Sequence, residues 1–76
     1  MASYQTESDA QAAIEAHPAC AQFMNTPGSF VVYYPAAYVI PGGTRVPKGT
    51  DPLASLNLLY DRIDAFWQAQ RLQVTK

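Results

Sequence analysis

Apolar positions change period along this chain, and each change marks an element. From Leu53 to Trp67 they recur at helical spacing. Leu53, Leu56, Leu59, Tyr60, Ile63, Phe66 and Trp67 form one broad stripe, with Gln70 on its axis. Asn57, Asp61, Asp64, Gln68 and Arg71 fall on the polar side. A second, weaker stripe holds Ala54, Leu58, Ala65, Ala69 and Leu72. Asp51-Pro52 supplies an N-cap acid followed by proline at the first helical position, so the helix is predicted to start there and run to about Leu72.

Phe30-Val31-Val32-Tyr33-Tyr34 contains only β-branched and aromatic residues and predicts the best strand of the chain, ended or bent by Pro35. Tyr38-Val39-Ile40 predicts a second short strand. Pro41-Gly42-Gly43 then suits a type II turn, after which Thr44-Arg45-Val46 is expected to pair back on Tyr38 to Ile40, closed by Pro47. The alternative is an irregular excursion at Pro35-Ala36-Ala37 with only two strands paired.

Near the start, Ser8 with Gln11 three residues later predicts a capping box and a short helix through Ile14. His17-Pro18 interrupts it. Pro18 is expected to open a second short helix through Met24, and Asn25-Thr26-Pro27-Gly28-Ser29 to form a turn. The expected fold is therefore one small α+β domain over residues 1–76. It has one or two N-terminal helices, a small antiparallel sheet of two or three strands, and a long C-terminal amphipathic helix packed on that sheet. Leu56, Leu59, Ile63 and Phe66 are expected to lie against the Phe30–Tyr34 strand.

Composition narrows the function classes. Hydrophobic residues make up 49% of the 76 residues, too many for a disordered tail. Five Lys and Arg against six Asp and Glu are too few cations for a phosphate-backbone binder, so no nucleic-acid partner is expected. No apolar run approaches a membrane span. Met1 to Ala13 carries Glu7 and Asp9 but no cation, unlike a signal or transit peptide. A single Cys offers no internal disulfide, so a domain this small has little core to spare.

Charge is unevenly placed. From Ala16 to Thr44 there is no Asp, Glu, Lys or Arg, while the stretch holds Phe23, Met24, Phe30, Tyr33, Tyr34 and Tyr38. Interface cores are depleted in charge and enriched in such side chains. A strand without charge on either face also lacks the usual protection against edge pairing. Tyr33, Tyr34, Tyr38 and Val39 are therefore expected at a subunit or partner interface. The Ala54, Leu58, Ala65 and Ala69 flank of the last helix is a second expected contact.

Candidate chemistry is sparse. His17 and Cys20, three apart, could pair as a nucleophile or form half a metal site, but no other His or Cys exists to complete one. A buried thiol used as a small hydrophobe is the simpler account. Asp61 and Asp64 read as part of a solvated face rather than an acid–base pair. Gly42-Gly43-Thr44-Arg45 lacks the spacing and ending of a phosphate loop. Arg45 and Lys48 beside three tyrosines give only a weak basic, aromatic patch. Phe66 and Trp67, side by side, most often mark a core, while Trp is also a favoured interface anchor, and the sequence does not separate the two. No catalytic residue, metal, cofactor or small-molecule substrate is assigned.

Val46-Pro47-Lys48-Gly49-Thr50, followed by Pro52-Leu53 and a helix with Leu56, Leu59, Arg62 and Ile63, resembles lead-in segments of bacteriophage virion proteins. In those tail, fibre and capsid-associated proteins a Pro-x-Gly-Thr turn feeds a Leu-rich helix ending in Arg-Ile. The resemblance covers about a third of the chain. It implies an oligomeric structural role and transfers no functional residue. The expected function is thus a non-catalytic assembly protein of a phage particle, self-associating or bound to another virion protein. It would be made in the bacterial cytoplasm and incorporated in the virion. The alternative is a small phage inhibitor that occludes a bacterial host protein.

Overall fold

The computed structural model describes residues 1–35 and 43–74, with side chains of the last helix placed as far as Gln70. The order is α1 (Glu7–Glu15), β1 (Gln22–Asn25), β2 (Ser29–Tyr33), β3 (Gly43–Pro47) and α2 (Pro52–Val74). The strands form one antiparallel sheet in the order β1-β2-β3, which makes this an α+β fold with the long helix on the sheet.

Helix α1 starts two residues before the capping box suggests. Thr6, not Ser8, is its N-cap, and its hydroxyl accepts from the Asp9 amide at 3.1 Å. The second short helix expected from Pro18 does not form. Gln22–Asn25 is instead a strand, paired with β2 in the register Gln22↔Tyr33, Phe23↔Val32, Met24↔Val31 and Asn25↔Phe30. A helix of two turns nucleates poorly, whereas pairing with β2 satisfies the backbone and stacks Phe23 on Phe30, with ring centroids 6.0 Å apart. The Thr26–Ser29 turn forms as expected, held by the Thr26 N–H on the Ser29 carbonyl and the Ser29 N–H on the Thr26 hydroxyl.

Thr44–Val46 pairs with β2, with Phe30↔Val46, Val31↔Arg45 and Val32↔Thr44 opposed. The expected Tyr38–Ile40 strand and the Pro41-Gly42 turn positions lie outside the described residues. Gly43 begins β3 opposite Tyr33, where a Cβ would collide with the Val32 carbonyl. Gly49 takes φ +61 between β3 and α2, a value that favours glycine.

Asp51 caps α2 as its sequence predicts, accepting the Ala54 amide on Oδ1 at 3.2 Å. Asp51→Ala is expected to cost about 0.5–2 kcal/mol in a denaturant melt, and no change would show that the cap carries no weight. Ser55 ties the helix start to the sheet end, its hydroxyl lying 2.8 Å from both the Pro47 and Lys48 carbonyls. The stripe on α2 faces the core. Leu56, Leu59 and Ile63 are buried with Phe30, Val32 and Val46 of the sheet and Ala10 and Ile14 of α1.

Candidate functional site

Two regions bear on function: a polar knot where α1, its following turn and the N-terminal segment meet α2, and the surfaces left uncovered. The knot is built on α2 residues that the hydropathy pattern assigns to a solvated face. Asn57 binds the backbone of Tyr4 twice, accepting its N–H at 2.9 Å and donating to its carbonyl at 3.3 Å. Asp61 accepts the Ala2 N–H at 2.7 Å. Asp64 pairs with His17 Nε2 at 3.0 Å. Asp61 and Asp64 are thus anchors for the N-terminal segment and the α1–β1 turn rather than members of a bare polar face. An open cleft of about 360 Å³ remains beside them, bordered by Met1 to Tyr4, Tyr60, Asp61 and Asp64.

His17 is buried, and both of its ring nitrogens are occupied. The Ala19 N–H donates to Nδ1 at 3.0 Å. A backbone amide can only donate, so Nδ1 is unprotonated and Nε2 carries the proton given to Asp64. The ring also meets Tyr60 and Trp67 edge-on, at centroid separations of 5.3 and 6.4 Å. Tyr60 in turn takes the ring of Tyr4 edge-on at 5.4 Å. Burial, with Tyr4 and the Asp64 and Asp61 carboxylates adding, pushes the Tyr60 phenol above its ordinary range.

The His17–Cys20 pair does not assemble into a nucleophile. The link between the two is the Cys20 N–H on the His17 carbonyl, a turn bond of the main chain. Burial, then the Glu15 carboxylate, pushes the Cys20 thiol up, which disfavours the thiolate that such chemistry needs. Among the described residues, no three His, Cys, Asp or Glu side chains group as metal ligands, and no helix is long and apolar enough to cross a membrane.

The expected interface residues separate into different situations. Tyr33 is 43% exposed, on the sheet face turned away from Phe30 and Val32. Tyr34 is half-buried and stacks on Phe66, with centroids 3.8 Å apart and planes 1° from parallel. It belongs as much to the fold as to any surface, and burial raises its phenol. Tyr38 and Val39 lie outside the described residues. Ala54, Leu58, Ala65 and Ala69 are all exposed on α2, Leu58 at 45%. Tyr33 and this flank do not form one patch, because the helix presents its core stripe to the sheet and its flank away from it.

Comparison of the chain with protein-family models, curated proteins and solved structures gives no match. The geometry therefore carries the functional reading.

The outer face of the sheet adds what the sequence pattern could not locate. Antiparallel register places Met24, Val31 and Arg45 side by side across it. Met24 is 38% exposed, while Val31 between its neighbours is nearly covered. Lys48, just after β3, lays its ammonium 4.9 Å from the Phe30 ring centroid, so it caps the core edge. The signal for β1 was present in Phe23 and Met24, whose opposite faces suit a strand, but four residues are too short for alternation to outweigh a helix reading.

Proposed function

We propose that this protein is a non-catalytic assembly protein that works by binding other protein subunits. The observation that carries the reading is the outer sheet face, where Tyr33 and Met24 stand exposed around Val31 with Arg45 as the charged neighbour among the described residues. Aromatic and Met side chains with little charge are what interface cores use. The exposed Ala54–Leu58–Ala65–Ala69 flank on α2 offers a second contact facing another way. Two contacts on different sides suit a subunit within an array. The bacteriophage setting rests on the Val46–Ile63 resemblance alone. The absence of catalysis is supported by His17, whose nitrogens are both committed to the fold.

Tyr33→Asp tests this reading. It places a charge on the exposed face without touching the core, whereas Tyr34→Asp would also remove the stack on Phe66. Light scattering across a concentration series is expected to show the parent as larger than a monomer. The variant should shift to smaller species at an unchanged melting temperature. A parent that stays monomeric and binds no virion protein would eliminate assembly and favour occlusion of a host protein instead.

A further inference from the structure

Among the described residues the sheet has two edges, and they differ in chemistry. β3 carries Arg45, ends in Pro47 and is followed by Lys48, three features that blunt an edge against pairing. β1 reads Gln22-Phe23-Met24-Asn25 and has no charge and no proline. Its pairing partner on one side is β2; among the described residues no hydrogen bond reaches its other side. The Thr26 N–H to Ser29 carbonyl bond sets the phase of the ladder. Bonding alternates along a strand, so Met24 turns its main-chain groups to β2 while Phe23 and Asn25 turn theirs outward.

We propose that β1 pairs with β1 of a second copy of this chain, antiparallel about a twofold axis at Met24, to make one continuous six-stranded sheet. The proposal deepens the assembly reading by naming its first contact. An axis at Met24 sets Phe23 opposite Asn25 of the partner subunit. Those two outward-facing pairs exchange four N–H to carbonyl bonds. The two Met24 side chains meet on the axis as a non-hydrogen-bonded pair, on the outer sheet face where Met24 is already exposed. A neutral strand meets its own copy without repulsion, whereas self-pairing of β3 would bring arginine and lysine towards their equivalents. The occupant is thus a second copy through β1, and the contact is isologous.

The test combines a covalent trap with two edge-blocking variants. Met24→Cys, made in a Cys20→Ser background, should oxidise to a disulfide-linked dimer, because residues facing across an antiparallel non-hydrogen-bonded pair lie within disulfide reach. Oxidation joins the two thiols with loss of two protons and two electrons to an added mild oxidant such as oxidised glutathione. Arg45→Cys in the same background, on the same face at the far edge, should dimerise through β1 without cross-linking. Asn25→Pro removes an outward N–H from each copy and leaves the β1–β2 ladder intact. Met24→Lys sets two ammonium groups on the axis. Each should weaken dimerisation roughly tenfold or more in sedimentation equilibrium, with far-UV circular dichroism unchanged. A chain that remains monomeric at millimolar concentration, or a Met24→Cys variant that cross-links no better than Arg45→Cys, overturns the proposal. Loss of assembly in Tyr33→Asp but not in Asn25→Pro or Met24→Lys also overturns it, and leaves the broader assembly reading standing.

Discussion

Leu59→Ala and Ile63→Ala are each expected to lower unfolding free energy by about 2–5 kcal/mol. Both side chains are fully buried where α2 crosses the sheet, packed with Phe30, Val32 and Val46 below and Ile14 of α1 alongside. Removing either leaves a cavity that the two helices and the sheet can close only by moving together. A domain of this size buries a modest fraction of its surface, so a loss of that order is a large part of its total stability. Leu58→Ala is the control. It removes the same atoms one residue away from an exposed position, and is expected to change stability by about 0.5 kcal/mol or less. Urea melts of the three variants check this, and equal midpoints for Leu58→Ala and Leu59→Ala would show that the core stripe is wrongly placed.

His17→Ala has the second largest expected effect. It strands the buried Ala19 amide, which now donates to Nδ1, at a cost of about 1–3 kcal/mol. The space left between Tyr60 and Trp67 adds a cavity penalty to that. His17→Asn should recover part of the loss, because the Asn carbonyl oxygen can stand near the Nδ1 position and accept the same amide. Asp64→Ala should cost less, about 0.5–1.5 kcal/mol, since the side chain of Asp64 is 42% exposed and water can replace it. This ordering follows from a structural role for the histidine. A His17→Asn protein as unstable as His17→Ala would show that the Nδ1 bond does not hold the turn.

The exposed outer face of the sheet and the knot differ in how far they could be seen in the chain. The missing charge between Ala16 and Thr44 pointed to a covered surface, and Tyr33 is exposed on the outer face of the sheet. Tyr34, its neighbour, faces Phe66 instead. Adjacent strand residues point to opposite faces, so the two cannot share one surface. The polar side of α2 also does more than its period shows. Asn57, Asp61 and Asp64 look solvated by period, yet their partners Tyr4, Ala2 and His17 lie 53, 59 and 47 residues away.

Taken alone, the sequence determined the start and core face of α2, the strand at Phe30 and the turn from Thr26 to Ser29. Each of these is a local matter: a cap beside its helix, an apolar period, a proline and glycine at a bend. The tertiary structure decided that Gln22–Asn25 is a strand, that β3 pairs with β2, and that three polar residues of α2 anchor distant backbone. Those outcomes depend on what lies across from a residue rather than beside it. A backbone amide takes the best acceptor that folding brings near, and local spacing does not encode which one arrives.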